Sequence, residues 1–478
     1  MTHHPRPRAS RPGFAMALAL WAIALVAVIL GGLQLSAWKS AAAGRESLAR
    51  VRATWAARAG IENVLARLQA EAQQTEPMGS VALLGAIAAD ASGTLGERSA
   101  TWRLEYTENG QTRPGIIDTH SRININLMSR NDLLLLPDMT EEIADAILDY
   151  IDADEEARTS GAEVETYGTL QYPYAPRNGP LRSIAELELV KGVTRDMVRG
   201  LDFNLDGVVS PAERAAGAGG AGGTVARAAA GATSAGGTGG GDAGLSAMAT
   251  EGGWSSLLTA SSIDGGTLPG GEPRVDLANA SPSEVESLLG VNSAQAETIT
   301  QSIASGGTIA QLISPGLQSI ANSLQQAARA QGGGGGRGQA RGGPQRAVPN
   351  LSREQIAAVV DRATAQDPAA LFPGKVNINT ASEDVLKCIS AITPEIREGI
   401  IQLRDSQGGD VRSVTDLLDV QGMTTQTLTR LLPILDVRSN VFLATARGRD
   451  EATGTEVAIT VEIDRSTLPV VLRRMVVR

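Results

Sequence analysis

The chain begins with a long uncharged segment that passes into an amphipathic one. Residues 14–38 carry no charge and are mostly Ala, Leu, Val and Ile, enough to cross a hydrocarbon core of about 30 Å as a helix. Residues 45–74 contain no proline and repeat apolar positions, including Leu48, Val51 and Trp55, at helical spacing. The pattern predicts one continuous rod from residue 14 to about residue 74, roughly 90 Å long.

Alternating apolar and polar positions predict strands near both ends of the remaining chain. Trp102, Leu104 and Tyr106 alternate with polar residues, and the Asn109–Gly110 pair that follows is typical of a hairpin turn. The second alternating set comprises Val457, Ile459, Val461 and Ile463. Because either set alone is too small to be stable, we expect one antiparallel sheet interrupted by a large helical insertion.

The insertion contains a repeated pattern of short paired helices. Each copy opens with a Val/Ile–Asn/Asp element, followed by a helix with a serine N-cap, a turn and a second helix. The copies span 125–152, 275–305 and 376–406, with Ser129, Ser281 and Ser382 as the predicted caps. A second pair of short helices is predicted at 181–201 and 411–432, with Gly192 and Gly422 at the turns. This organisation is typical of helix-hairpin-helix repeats.

Composition restricts the chemistry that the chain can perform. There are 54 glycines, the aromatic share is 3%, and the net charge is −10. The single cysteine, Cys388, lies in an apolar pattern that favours a buried core position, and it excludes an intrachain disulfide. Of three histidines, two lie near the N-terminus and the third, His120, is predicted at the surface. We therefore predict a protein that is not an enzyme and does not bind nucleic acid.

The N-terminus resembles that of type IV pilins and pseudopilins. A basic leader (1–13) precedes Gly13, Phe14 and the apolar helix. The resemblance implies that a prepilin peptidase cleaves between Gly13 and Phe14 and methylates the new amine. The fifth mature position, usually glutamate in that family, is Leu18. A signal peptide cut within residues 40–44 and a plain membrane anchor remain alternatives.

Over nearly its whole length the chain resembles the minor pseudopilin K of type II secretion systems, which also lacks that glutamate. The implied fold is α+β: a pilin-like long N-terminal helix and a small antiparallel sheet, interrupted by a large all-α insertion with helix-hairpin-helix-like repeats. The implied role is at the pseudopilus tip, initiating assembly with the I- and J-type minor pseudopilins and the inner-membrane secretion platform. Three leader arginines place the N-terminus in the cytoplasm and the bulk in the periplasm, with one pass through the bacterial inner membrane.

Pattern and resemblance together divide the chain into ten segments. They are a basic leader (1–13), the transmembrane (14–38) and amphipathic (39–78) halves of the pilin helix, the first part of the sheet (80–124), an α-helical insertion with acidic loops (125–214), a Gly/Ala-rich linker (215–253), a middle helical repeat (254–328), a Gly-rich linker (329–346), a second helix-hairpin-helix-like region (347–436) and returning strands (437–478).

Residues 202–213, here called the EF-hand-like loop, match the calcium-loop spacing D-x-N-x-D-G-x-x-S-x-x-E. Alternate side chains converge on one cation while Gly207 permits the sharp turn, and oxygen ligands favour Ca²⁺ over zinc. Gly217 is expected to cut the exiting helix short. The predicted ligands are Asp202, Asn204, Asp206, the Val208 carbonyl, Ser210 and Glu213.

A second group of acids follows in the same insertion. Asp152, Asp154 and Glu163, here called the acidic cluster, lie in the segment DYIDADEEARTSGAEVETYG. In pseudopilin K proteins the similar segment is an extended calcium-binding loop, so the resemblance implies Ca²⁺ here too. The residues alone leave open a solvated acidic helix end.

Two other functions remain open from the sequence. Helix-hairpin-helix repeats on a membrane anchor also occur in DNA receptors of competence-type pili, although residues 119–213 hold eighteen acids and eight bases, a balance that repels phosphate. A structural calcium-binding module unrelated to pilins is the other alternative, and the N-terminus of the mature protein distinguishes it.

Overall fold

The computed structural model has the predicted α+β architecture. The described residues are 12–74, 78–96, 99–108, 110–219, 252–266, 268, 272–331, 348–367, 370–406, 408 and 410–478. The basic leader up to residue 11, and most of the linkers predicted at 215–253 and 329–346, lie outside the described residues.

Helix α1 runs unbroken over Pro12–Ala72, 61 residues, which confirms the predicted rod. Its first half is exposed, and Met16–Ala72 is the one described helix that is long and apolar enough to cross a membrane. Its second half packs on the sheet through small residues such as Ala53 and Ala57, which are fully buried. The approach is close: a Cβ added to Gly448 would lie 1.9 Å from the carbonyl oxygen of Ala53.

Fifteen strands occur in the described residues, and seven of them form an antiparallel sheet on α1. They are β1 (Ser92–Leu95), β2 (Ala100–Glu108), β3 (Gln111–Pro114), β4 (Ile117–Asp118), β5 (Ile123–Asn124), β6 (Leu258–Thr259), β7 (Ile263–Asp264), β8 (Val275–Asp276), β9 (Ala363–Thr364), β10 (Phe372–Pro373), β11 (Val376–Asn377), β12 (Leu435–Asp436), β13 (Val441–Asp450), β14 (Glu456–Asp464) and β15 (Val471–Val477). The sheet order is β1-β2-β13-β14-β15, with β3 on β2 and β4 on β13.

The pairing of β2 with β13 confirms that one sheet is built from both sides of the insertion. Trp102 is opposite Gly448 and Leu104 is opposite Ala446. Glu108 is opposite Gln111, which confirms the hairpin predicted at Asn109–Gly110. Because the two strands are neighbours, the insertion leaves and re-enters the sheet at adjacent positions.

The insertion consists of short helices with side-chain caps. The described helices after α1 are α2 (Ser80–Ala89), α3 (Arg130–Leu133), α4 (Glu141–Ile151), α5 (Val164–Gly168), α6 (Arg195–Arg199), α7 (Pro211–Gly219), α8 (Pro282–Leu289), α9 (Ser293–Ala304), α10 (Ile309–Gln311), α11 (Leu317–Gln331), α12 (Arg353–Arg362), α13 (Glu383–Lys387), α14 (Pro394–Ser406) and α15 (Thr425–Leu431). Ser129, Ser281 and Ser382 each accept a backbone N–H at the start of a helix, as predicted.

The first and last repeats share one hydrophobic core, whereas the middle repeat has its own. Leu133 and Ile147 of the first repeat pack in the same cluster as Val385 and Leu428 of the last. The middle repeat is a complete helical hairpin, α8 and α9, with a separate core that includes Ile299. Cys388 lies in the shared core as predicted, and burial raises the pKa of its thiol to about 12.

Three predictions about secondary structure are wrong. Residues 80–89, assigned to the sheet region, form α2, because a run of small and apolar residues packs Leu83 and Ile87 against α1 and the sheet. Helix α7 continues past Gly217 to Gly219, so the exiting helix of the EF-hand-like loop is not cut short there. The segments 184–189 and 414–419, predicted as helices, are 3₁₀ turns.

Candidate metal centres

The EF-hand-like loop connects α6 to α7 and is docked on the pilin-like sheet. The N–H of Thr107 in β2 donates to the carbonyl of Gly207 at 2.8 Å. The hydroxyl of Thr445 in β13 donates to the carbonyl of Asp206, also at 2.8 Å. Gly207 has φ +79°, and a Cβ there would lie 2.4 Å from Cδ1 of Ile117. Glycine therefore permits both the turn and the close approach to the sheet.

The oxygen-bearing side chains of the loop bond to its own backbone. Asp202 accepts the N–H groups of Asp206 at 3.2 Å and Gly207 at 2.9 Å. Asn204 accepts the N–H of Asp206 at 2.9 Å, and Asp206 accepts that of Val208 at 2.8 Å. These Asx-type bonds define the turns of the loop.

Glu213, the last predicted ligand, leaves one oxygen unsatisfied. Its Oε2 accepts the N–H of Ser210 at 2.9 Å and the Ser210 hydroxyl at 2.8 Å. Its Oε1 is buried and has no hydrogen-bond partner. An unpaired buried carboxylate oxygen is costly, and a bound cation would satisfy it. The all-oxygen donor set of the loop therefore fits calcium.

The charges in this loop are poorly compensated by the protein alone. Burial raises the pKa of Asp202 to about 6, and the carboxylates of Asp206 and Glu213 add to the rise. Burial also raises the pKa of Asp206. Partial compensation comes from Arg478, whose Nη1 lies 3.3 Å from Asp206 Oδ2 and whose Nη2 donates to the Asn204 carbonyl at 3.0 Å.

The acidic cluster converges more closely than the EF-hand-like loop. One carboxylate oxygen from each of Asp152, Asp154 and Glu163 lies within 4.8 Å of the other two. In the described part of the chain, no other group of three acidic, histidine or cysteine side chains meets this distance. The interpretation of these acids as a solvated helix end does not fit Glu163, which is only 4% exposed.

Asp149, at the end of α4, folds the cluster loop back on itself. Its carboxylate accepts the N–H of Arg158 at 3.2 Å and the N–H of Ala162 at 2.8 Å. The Nη1 of Arg158 lies 2.5 Å from Oδ1 of Asp149 and 2.5 Å from Oδ2 of Asp152. These contacts bring Glu163 close to Asp152, eleven residues earlier in the chain.

Several oxygens of the cluster have no hydrogen-bond partner among the residues that the structure describes. Both carboxylate oxygens of Glu163 and Oδ1 of Asp152 are buried without a hydrogen bond. Burial raises the pKa of Glu163, and the charges of Asp149, Asp152 and Asp154 raise it further. A divalent cation would neutralise these oxygens together, so the donor set fits calcium.

The predicted processing site lies at the start of α1. Gly13 and Phe14 are both within the helix, and the Phe14 side chain is 73% exposed. Leu18 is also exposed, on the first helical turns. Cleavage and methylation at Gly13–Phe14 remain predictions.

The hairpin turns that could contact DNA contain one glycine each. Gly192 and Gly422 have φ of +83° and +84°, which only glycine adopts easily. Both turns pack on apolar side chains: a Cβ on Gly192 would lie 3.0 Å from Ile143, and one on Gly422 would lie 3.7 Å from Ile396. The turns therefore serve helix packing within the insertion.

Two family models match the insertion. Residues 121–203 match the model of type II secretion system protein K, and residues 373–435 match that of the helix-hairpin-helix motif. The resemblance to the protein K family is confirmed over residues 121–203. The protein K match spans the acidic cluster and reaches the first residues of the EF-hand-like loop. The helix-hairpin-helix match agrees with the predicted second repeat region.

One curated relative and one solved structure are similar to this chain. The chain is 39% identical over 64 residues to type II secretion system protein K of Pectobacterium carotovorum subsp. carotovorum. That stretch is 13% of this chain, and it spans 20% of the curated relative. Among solved structures, the GspK-GspI-GspJ complex of the enterotoxigenic Escherichia coli type 2 secretion system matches with a TM-score of 0.42 and 11% identity, covering 91% of this chain and 99% of the matched one.

Sequence reasoning missed three residues next to the candidate metal centres. Arg158 and Arg478 each place a guanidinium on a predicted ligand. Asn178 donates to the Asp154 carbonyl at 3.2 Å, and its Oδ1 is a further buried oxygen without a partner. Each contact joins residues that are distant in the chain or in an irregular loop, so no local spacing could have revealed it.

Proposed function

We propose that this protein is a minor pseudopilin of the protein K type, acting at the tip of a type II secretion pseudopilus. The observation that carries the proposal is the position of the protein K match. Residues 121–203 lie inside an insertion whose two ends, β2 and β13, are neighbouring strands packed on α1. A pilin-like stem that carries a large lateral head is the arrangement expected of this family.

The proposed position at the tip follows from the stem and the head. Leu18 stands where most pilins carry the glutamate that pairs with a neighbouring subunit's N-terminus. A subunit without that carboxylate cannot form this ion pair with a subunit above it, and the inserted head would block the stacking of another subunit. In this proposal the protein initiates assembly together with I- and J-type minor pseudopilins.

The membrane arrangement is part of the same proposal. The exposed apolar half of α1 would cross the bacterial inner membrane once. The leader arginines would remain in the cytoplasm until prepilin peptidase cuts after Gly13 and methylates Phe14. The sheet and the insertion would then lie in the periplasm, where the subunit would leave the secretion platform and enter the pseudopilus.

Calcium has a structural role in this proposal. Asp202, Asp206 and Glu213 would hold one ion, and the acidic cluster would hold a second. The ions would neutralise buried carboxylates and order the two loops. Extracellular calcium sites typically bind at about 10⁻⁴–10⁻³ M, so filling would follow translocation out of the cytoplasm.

Co-purification of the full chain in detergent with I- and J-type minor pseudopilins of the same organism tests the proposed assembly. We expect a complex that contains all three proteins in calcium and that weakens when calcium is chelated. Deletion of the gene should stop secretion, and the wild-type gene should restore it. Failure to bind either partner in calcium would contradict the proposal.

The helix-hairpin-helix match favours one alternative, a DNA receptor of a competence-type pilus. Residues 373–435 hold eight acids and six bases, so the matched region does not attract phosphate. Fluorescence anisotropy with a labelled DNA duplex at low salt tests this alternative, and we expect no binding. Binding that weakens steeply with added salt would favour the DNA receptor instead.

A further inference from the structure

A cavity of about 540 Å³ lies where three parts of the chain meet. Ser80 at the start of α2, Asn379 in the insertion and Asn440 before β13 line it together. We call it the junction cavity. Its volume is in the range of small-molecule sites, about 300–1,000 Å³.

The junction cavity is basic, although the chain has a net charge of −10. Five basic residues and three aspartates line it, an excess of two positive charges. The basic residues are Arg274, Lys375, Arg412, Arg438 and Arg465. The aspartates are Asp264, Asp410 and Asp436.

The three aspartates already have partners. Asp410 accepts the N–H of Val81 at 3.2 Å, at the first turn of α2. Nη2 of Arg274 lies 3.7 Å from Asp264 and 3.9 Å from Asp436. Arg274 therefore accounts for the close ion pairs of two of the three acids.

Three of the lining cations form no direct side-chain contact with an acid among the described residues. The side chains of Lys375, Arg412 and Arg438 form no hydrogen bond or salt bridge with any residue that the structure describes. Arg412 is exposed, and the other two are half-buried. Lys375 and Arg438 also act on Asp436, whose pKa is lowered by the charges of these two residues and of Arg274. One carboxylate thus faces three cations, and the cavity keeps its positive excess.

Buried polar atoms of the cavity wall are also unsatisfied. His120, predicted at the surface, is 2% exposed because it is enclosed by β11 and β13 and its Nδ1 bonds to the carbonyl of Lys375 at 2.8 Å. Its Nε2 and the Nε of Arg274 are buried without a partner. Burial lowers the pKa of Arg465, whose charge is likewise incompletely compensated.

We propose that the junction cavity binds a small soluble ligand that carries two or more carboxylate or phosphate groups, held by Lys375, Arg412 and Arg438. A lipid headgroup is out of reach, because 34 residues of helix separate Trp38 from Ala72, roughly 50 Å. The ligand would tie the end of α1 to the insertion and to β13. The inference is independent of the proposed role in secretion.

Isothermal titration calorimetry of the full chain in detergent tests the inference with three separate probes: citrate, inorganic phosphate and pyrophosphate. Ionic strength is matched with NaCl. We expect at least one probe to bind with a stoichiometry of one, and its identity distinguishes a carboxylate ligand from a phosphate ligand. Arg412→Gln and Arg438→Gln should each weaken binding by about 10-fold, the value of one hydrogen bond to a charged group.

Arg430→Gln is the matched control, because Arg430 is exposed at the end of α15 and lies outside the cavity. It should leave binding unchanged. Arg412 is exposed, so its variant is expected to fold, and its melting temperature without ligand verifies this. No binding of any probe beyond the NaCl control would overturn the inference, as would an equal loss in the Arg430 variant.

Discussion

The two candidate metal centres differ in how well their sequence spacing agrees with the arrangement of their ligand oxygens. The EF-hand-like loop matches its motif at every ligand position, yet Asp202 and Asp206 bond to the loop's own backbone. The acidic cluster has loose spacing, yet one carboxylate oxygen of Asp152 lies within 4.8 Å of one of Glu163, and each residue has a buried oxygen without a hydrogen bond in the described part of the chain. The sequence spacing identifies which residues can act as metal ligands. Whether their oxygens come close together depends on contacts, such as those of Asp149, that the spacing does not reveal.

The two centres also differ in what they are attached to. The EF-hand-like loop forms hydrogen bonds with Thr107 and Thr445 of the sheet. A metal bound there would therefore stabilise the contact between the insertion and the sheet. The acidic cluster is held by Asp149 at the end of α4, so a metal there would order a loop within the insertion. Variants at the two centres should therefore have separable effects.

The largest effect is expected from Glu163→Gln, which removes a charge with little change of shape. Calcium affinity at the acidic cluster should fall by at least about 100-fold, because even outer-shell partners of a metal contribute about 10- to 100-fold. Without calcium the variant should melt at the same or a higher temperature, since the substitution relieves repulsion among buried carboxylates. Calorimetry gives the affinity and the number of sites, expected to fall from two to one.

Glu165→Gln is the matched control, since Glu165 is exposed two residues away. It should keep both sites and the calcium-dependent stabilisation. If Glu163→Gln bound calcium as tightly as the wild type, the acidic cluster would not be a metal centre.

The second-largest effect is expected from a change of pH, which should alter both the stability of the calcium-free protein and the calcium affinity of the EF-hand-like loop. The pKa of Asp202 is about 6 in the folded protein, above its ordinary value of 3.8. Its protonation therefore stabilises the calcium-free fold, and this contribution is lost as pH rises through about 6. Protons compete with calcium for the same carboxylate, so calcium affinity at the loop should fall about 10-fold from pH 7 to pH 5.

Asp202→Asn isolates this contribution from the other acids. The wild type without calcium should gain stability relative to the variant as pH falls from 7 to 5, measured by thermal melts at each pH. Parallel pH profiles of the wild type and the variant would show that Asp202 does not titrate in this range.

The smallest effect is expected from Arg478→Gln. Arg478 lies on Asp206 and on the Asn204 carbonyl, where it opposes a cation. Because partly exposed ion pairs contribute about 0.2–1 kcal/mol, the variant should bind calcium only about 2- to 5-fold more tightly. Arg474→Gln in β15, four residues earlier, is the control and should leave affinity unchanged. A weaker affinity in Arg478→Gln would mean that the arginine supports the site.

Much of the fold could be predicted because it depends on residues that are close together in the sequence. The unbroken α1, the caps at Ser129 and Ser382 and the Asn109–Gly110 hairpin follow from nearby residues alone. The pairing of β2 with β13 could be predicted because neither set of strands is large enough to be stable without the other.

The remaining features depend on tertiary contacts. Helix α2 is stabilised by packing on α1 and the sheet. His120 was expected at the surface but is enclosed by chain segments more than 250 residues away. Glu163 reaches Asp152 only because Asp149 holds the intervening backbone. No periodicity or spacing reports such contacts.

Mass spectrometry of the protein purified from cell membranes tests the central proposal, a processed pseudopilin, most directly. The account predicts a mature chain that starts at Phe14 with one added methyl group on its amine, and the same chain uncut when prepilin peptidase is absent. A chain that retains residues 1–13 in wild-type cells, or one that starts near Gly44, would contradict it.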